Sequence, residues 1–391
     1  MVTGIQRVVS FLVVILMWMV IPGCGGDGSS DPTTVAQPPG SPPSTPGGPS
    51  PTVEGNVPPR TGTFGGGQGK ILFVEGTNLP TSISELHLAT RLVQRLVDYS
   101  QDSFKKVVGG VSRANDGTFA VVRDPGLTEQ PVILHYRADG TLLHEWLVPL
   151  DDNLFGAPLN LPRPASTEGG ALSPDGKSIA LAGESRDRTR LEVIILDVQG
   201  GTFLIHDLLG ANDEPRDKTN LHASTMWSPA GELYVISELG LHKVNRATGA
   251  GILVHPVTLF WPYAPVLAPD ARTIYFQQLS GNPRGGTIWS MDVASGEIVR
   301  RSMRSMFGEQ YSPALSPDGQ WLLMQEANLV GSVFAPAPIF TPNPSIGSIS
   351  TPLNISAVRF SELPIDTQNI DTRILDAAGQ ARNANGRMVW Y

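Results

Sequence analysis

The sequence predicts an all-β protein built from repeated antiparallel sheets, and three observations predict it. A turn motif reading Ser-Pro-Asp-Gly, or a relative of it, recurs along residues 69–391 with apolar residues on either side. A second turn follows at similar spacing in four of the copies. Short apolar runs of strand length lead into and out of both turns. Two tight turns and about four strands per repeat of roughly 50 residues describe the four-stranded blade of a β-propeller.

The best copies are Ser173-Pro174-Asp175-Gly176, Ser228-Pro229-Ala230-Gly231, Ala268-Pro269-Asp270-Ala271 and Ser316-Pro317-Asp318-Gly319. Proline presets φ at the first central turn position, aspartate caps the turn with its side chain, and glycine accepts positive φ. The alternating runs that follow, such as Ser178–Leu181 and Leu233–Val235, read as strands with one buried face. Looser copies stand at Asn115-Asp116-Gly117 and Asn385-Gly386-Arg387, and a half copy, Gly69–Val74, opens the folded region. The glycine-equivalent positions 69, 117, 176, 231, 271, 319 and 386 are spaced by 48, 59, 55, 40, 48 and 67 residues.

The second turns are Ala138–Gly140, Asp197–Gly200, Asn245–Gly249 and Asp292–Gly296. They follow the strand-like runs Val132–Leu134, Val193–Leu196, Leu241–Val244 and Ile288–Met291. On these residues the chain resembles the TolB-like β-propellers, whose WD-like repeats pair such a turn and strand with a strand ending in Asp-x-x-x-Gly. The resemblance spans residues 69–391 and implies six blades, with N- and C-terminal strands sharing one of them, or seven. Gln325–Pro352 departs most from the pattern, with scattered prolines where a regular second hairpin is expected.

The N-terminus is of a different kind. Arg7 precedes an apolar run, Val8–Ile21, broken only by Ser10. Its length fits a signal-peptide core and falls short of the roughly 20 residues of a spanning helix. The run ends at Ile21-Pro22-Gly23-Cys24, which resembles the lipobox of bacterial lipoproteins, with Pro22 the less usual member. The resemblance implies cleavage before Cys24 and a lipid on its sulfur. Cys24 is the only cysteine of the chain, so it has no partner for an internal disulfide. An ordinary signal peptide or an uncleaved anchor is the alternative. Three segments follow: a signal peptide over 1–23, a Pro/Gly/Ser/Thr-rich linker over 24–67, and a propeller over 68–391. Linker composition of this kind cannot bury enough apolar surface to offset its ordering entropy. Gly25 after the cysteine implies, by resemblance to diderm lipoproteins, an outer-membrane destination where the organism has one.

Composition limits function. The whole chain carries a net charge of −8, against nucleic-acid binding, which needs clustered lysine and arginine. The seven histidines are scattered without paired metal spacing, and no Gly-x-Ser-x-Gly elbow occurs. Neither metal nor cofactor is expected. Asp175, Asp270 and Asp318 read as turn caps rather than calcium ligands. The long connections fall on the face opposite the tight turns, where recognition usually sits. The candidate binding face there combines Phe260, Trp261 and Tyr263 with Arg186 and Arg188; inter-blade packing is the competing role for the aromatics.

The expectation is therefore a monomeric, non-catalytic binding module at the cell envelope, held to the membrane by its lipid, with a protein, peptide or glycan partner. A propeller enzyme is the alternative, and it needs acidic or histidine side chains such as Glu184, Asp187, His222 and His255 to converge at the channel mouth. Cys24→Ser is expected to move the protein from the membrane to the soluble fraction and abolish palmitate labelling; unchanged fractionation and labelling would contradict the anchor.

Overall fold

Strands and tight turns account for the described residues, which are 68–75, 82–99, 106–124, 132–149, 170–184, 191–208, 222–259, 262–280, 285–302, 308–328, 353–359 and 374–391 of this computed structural model. All of them belong to the second of the chain's two compact units, Asn56–Tyr391. Cys24 and the 24–67 linker lie outside them.

The strands, in chain order, fall into groups of four. The first group is incomplete: β1 (Lys70–Glu75), β2 (Ser82–His87) and β3 (Val93–Asp98). Next come β4 (Lys106–Arg113), β5 (Phe119–Asp124), β6 (Val132–Tyr136) and β7 (Leu142–Leu147). The third group is β8 (Ala171–Leu172), β9 (Ser178–Glu184), β10 (Leu191–Asp197) and β11 (Thr202–Asp207). The fourth is β12 (Ala223–Trp227), β13 (Leu233–Ser237), β14 (Gly240–Val244) and β15 (Gly251–Pro256). The fifth is β16 (Pro262–Leu267), β17 (Thr273–Ser280), β18 (Gly285–Asp292) and β19 (Ile298–Arg300). The last strands are β20 (Gly308–Leu315), β21 (Trp321–Asn328), β22 (Leu353–Arg359) and β23 (Ala384–Trp390).

Each group is an antiparallel sheet in simple sequential order, and the final strand completes the first: the order is β3-β2-β1-β23. The innermost strands β23, β4, β8, β12, β16 and β20 touch in that cyclic order, with β20 returning to β23. The ring therefore has six blades. A single parallel bridge, Arg387 to Gly110, fuses the first and second blades into one eight-stranded sheet.

The sixth blade has three strands in its ladder, β20-β21-β22. Beside β22 lies a short hairpin, Leu375 bridged to Ala381. It is tied by the Ile374 N–H to the Ile355 carbonyl at 2.8 Å and the Ile355 N–H to the Arg382 carbonyl at 3.0 Å.

Two sequence expectations are corrected. The strands after the turns were read as buried on one face, yet β1 and β13 are buried along nearly their whole length. Each blade is sandwiched between two others, so its middle strands have no solvent face. Outermost strands such as β7 and β15 are largely exposed or half-buried.

The second correction concerns Gly386, read as a turn glycine. It lies inside β23 with φ +70°, at a bulge in the pairing with β1. Its counterparts are Gly110, Ala264 and Ser312, with φ of +81°, +45° and +46° on inner strands β4, β16 and β20, at or beside the bulges of those strands. The turn of the closing blade is instead split between the two ends of the propeller. The Lys70 N–H bonds the Tyr391 carbonyl at 2.7 Å, the Tyr391 N–H bonds the Lys70 carbonyl at 3.0 Å, and Gly69 supplies the positive φ of +90°.

Side chains reinforce this seam. Glu85, 5% exposed, accepts from Tyr391 Oη and lies 2.7 Å from both Lys70 Nζ and His87 Nε2. Burial alone would raise the Glu85 carboxyl, but the Lys70 and Tyr391 hydrogen bonds and the nearby charges hold it below the usual range. The Arg113 guanidinium lies 3.6 Å from the centre of the Tyr391 ring.

A Cβ at Gly110 would stand 2.1 Å from the Arg387 nitrogen and 2.2 Å from its carbonyl oxygen, whereas one at Gly231 meets nothing within 4 Å. Gly110→Ala is expected to cost about 3 kcal/mol or more and Gly231→Ala about 1 kcal/mol, the cost of positive φ alone. Equal shifts in denaturant midpoint for the two variants would contradict the seam geometry.

Candidate functional site

The strand order decides where a site can be. In each four-stranded blade built from consecutive strands, the turn from first to second strand and the turn from third to fourth lie at one end of the sheet. The Ser173–Gly176 and Asp197–Gly201 turns are therefore on one face of the ring, and the longer connections are on the other. The turn aspartates do what their positions predict. Asp175 Oδ1 accepts from Ser173 Oγ at 2.6 Å and the Lys177 N–H at 3.1 Å; Asp270 accepts from the Arg272 N–H at 2.9 Å; Asp318 accepts from Ser316 Oγ and the Gln320 N–H at 2.5 and 3.0 Å. Asp175 also meets Arg246 of the next blade at 2.8 Å. Burial would raise its carboxyl, but hydrogen bonds from Arg246 and Ser173 hold it far below the usual range.

Inner strands surround a central channel, and their polar side chains are spent on neighbouring backbones. Thr225 Oγ1 donates to the Ala180 carbonyl at 2.9 Å. The Leu172 N–H donates to Ser112 Oγ at 3.0 Å. Gln325 Nε2 donates to the Gly386 carbonyl. Arg387 is different, because its partner belongs to the blade opposite in the ring. It is 9% exposed and donates from Nη2 to the Thr225 carbonyl on β12 at 2.9 Å. The side chain thus spans the axis from the first blade to the fourth and blocks the channel.

Above this stopper, at the turn face, is a cavity of about 200 Å³. All six inner strands contribute to it; Arg113, Trp227, Arg387 and Trp390 are its polar-capable walls, and Leu172 and Met226 are among its apolar ones. The two indole N–H groups are committed to the Ala171 and Gln68 carbonyls, at 2.7 and 2.8 Å.

At the loop face the structure brings together two of the sequence candidates. Tyr263, at the start of β16, and His222, just before β12, form a hydrogen bond of 3.0 Å between Oη and Nδ1, with the rings edge to face at 5.3 Å. Burial pushes the His222 imidazole down to about 4. Arg186, Arg188, Asp187, Phe260 and Trp261 lie outside the described residues. His255 does not reach the channel. It sits on the outermost strand β15 and donates from Nε2 to the Val293 carbonyl at 2.7 Å. Glu184 ends β9, a second strand. Among the described residues no group of three or more His, Cys, Asp or Glu could hold a metal ion.

Sequence reasoning missed Arg387 and Arg113. The available signal was a charge inside the otherwise apolar strand end Arg387-Met388-Val389-Trp390, masked by the reading of Gly386 as a turn.

No family model matches the chain, and no curated protein matches it. Solved structures similar to it include TolB from Acinetobacter baumannii, at 14% identity and a TM-score of 0.43 over 67% of this chain and 62% of that one. The chain thus spans less than two thirds of that protein. A GH74 xyloglucanase from Xanthomonas campestris is similar at 17% identity and a TM-score of 0.43, over 67% of this chain and 42% of that one. A nidogen/laminin complex is similar at 13% identity and a TM-score of 0.43, over 67% and 89%. These are likenesses of fold. By its own strand order the fold is a six-bladed β-propeller, and TolB proteins are among the solved structures similar to it.

His222 carries a pH prediction. Its folded value, about 4, lies below the ordinary value of about 6.5, so the unfolded chain takes up the proton first. The contribution is complete above pH of about 6.5 and is lost as pH falls towards 4. Thermal stability of the wild type is expected to fall more steeply over that window than that of His222→Gln; identical slopes would contradict the buried neutral imidazole.

Proposed function

We propose that the chain is a lipid-anchored, non-catalytic binding module of the cell envelope. Cys24 carries the lipid, residues 24–67 hold the propeller away from the bilayer, and the loop face takes a protein, peptide or glycan partner. In a diderm organism the anchor is in the outer membrane. The observation that carries the binding reading is the Arg387 stopper. A blocked channel lined by arginine, committed indoles and aliphatic side chains offers neither a nucleophile paired with a base nor a pair of carboxylates. Of the described groups an enzyme could use at the mouth, His222 is bonded to Tyr263 and His255 is at the rim of the ring.

A rigid ring with long connections on one face suits recognition, since loops on a fixed scaffold present side chains without reorganising the core. The candidate contact residues remain Arg186, Arg188, Phe260, Trp261 and Tyr263. Tyr263 is the one whose surroundings support the role: it is half-buried at the mouth, held by His222, with its ring edge set.

The test uses the full chain in lipid nanodiscs against separated protein and polysaccharide fractions of the envelope. Binding to one fraction is expected, with affinity reduced about tenfold in the combined variant Arg186→Ala, Arg188→Ala and Tyr263→Ala. Absence of binding to either fraction, or binding unchanged by the variant, would contradict the proposal.

A further inference from the structure

The cavity above Arg387 opens on the turn face, opposite the loops, so what it does is a separate question from the loop-face reading. Its lining is unusual for this molecule. The chain as a whole is acidic, with 36 Asp and Glu against 28 Lys and Arg. The cavity nevertheless has two arginines, Arg113 and Arg387, and no acidic residue in its walls. Low-dielectric walls around such charges focus the potential and concentrate anions from outside.

The arginines are held in place. Arg387 is fixed across the axis by the Thr225 carbonyl. Arg113 lies on the Tyr391 ring and gives one N–H to the Ala114 carbonyl at 3.3 Å, so its plane is set by contacts made before any ligand arrives. Pre-set guanidinium planes match the flat, two-oxygen geometry of a carboxylate. Apart from Ser112, whose hydroxyl is bonded to the Leu172 N–H, the remaining surface is mainly apolar: Leu172, Met226, Val266 and Met388 among aliphatic walls, and the Trp227 and Trp390 rings. With their N–H groups already given to backbone carbonyls, the indoles present carbon surface to the cavity.

We propose that the turn-face mouth of the channel binds a small organic carboxylate with an apolar body, its carboxylate taken by Arg113 and Arg387 and its body by the aliphatic and indole walls. At about 200 Å³ the space suits a short acid or the last residue of a peptide rather than a polymer.

The probe is 4,4,4-trifluorobutyrate, followed by fluorine NMR on the full chain in nanodiscs, with trifluorobutylamine and trifluorobutanol as the reversed-charge and neutral controls. Saturable binding of the acid is expected, at least about tenfold stronger than that of either control. Arg113→Gln, at a half-buried position beside the Tyr391 seam, is expected to weaken it about tenfold, and Arg387→Gln by at least as much; circular dichroism and a thermal melt confirm that each variant is folded. The loop-face triple variant is expected to bind the acid as the wild type does, which separates this site from the partner site. No saturable binding, equal binding of the alcohol, or an undiminished affinity in Arg113→Gln would overturn the proposal.

Discussion

Everything in the ring depends on one strand pairing, the insertion of β23 between β1 and β4. It brings residues more than 300 positions apart into register, with Leu72 opposite Val389 and Ile71 opposite Trp390. The entropy of closing so long a loop grows only slowly with its length, so the pairing is affordable, but it has to be specified. Three features specify it. Gly110 admits the Arg387 backbone at a distance no side chain would allow. Tyr391 exchanges two backbone hydrogen bonds with Lys70. Buried Glu85 gathers Tyr391, Lys70 and His87 about one carboxylate.

The same strand decides what the channel can do. Arg387 enters with β23 and crosses to β12, so the residue that closes the channel is delivered by the strand that closes the ring. An open pore is thereby converted into two shallow mouths of different character. At the loop face the His222–Tyr263 pair is uncharged at physiological pH, because burial keeps the imidazole neutral. The turn-face mouth is positive and apolar-walled. A scaffold whose inner strands are tied to one another by Thr225, Ser112 and Gln325 keeps both mouths in shape without a ligand, and such pre-organisation favours recognition.

Much of the fold was legible because its turns are local chemistry. Pro174, Asp175 and Gly176 act within a few residues of one another, and so do Asp197 and the glycines after it; a repeat of such turns identifies blades without any knowledge of how they meet. The third strands, ending at Leu196 or Val244, were equally visible as apolar runs. What stayed hidden depends on contacts between blades. The two faces of β13 pack into different inter-blade cores, Leu233 and Val235 into one and Tyr234 and Ile236 into the other, which its continuous apolar run does not reveal until the neighbouring blades are placed. Gly386 carries the same residue type and positive φ as a turn glycine, and only its pairing with β1 shows it to be a bulge. Nothing local marks the role of Arg387, because its partner, the Thr225 carbonyl, is 162 residues away. Of the loop-face candidates, Tyr263 meets His222 at the start of β16, while His255 was carried to the rim because β15 is the fourth strand of its blade, which periodicity shows only after the blade is delimited.

The central claim, that β23 is an integral member of the ring, is tested most directly by native-state hydrogen exchange on the full chain. If it holds, the Tyr391 and Lys70 amides and those of β23 exchange with the same opening free energy as amides of the buried strands β13 and β17, because the ring opens only as a whole. Exchange of the β23 and Lys70 amides at far lower opening free energy, with β13 and β17 still protected, would show a ring that stands without its last strand and would contradict the account.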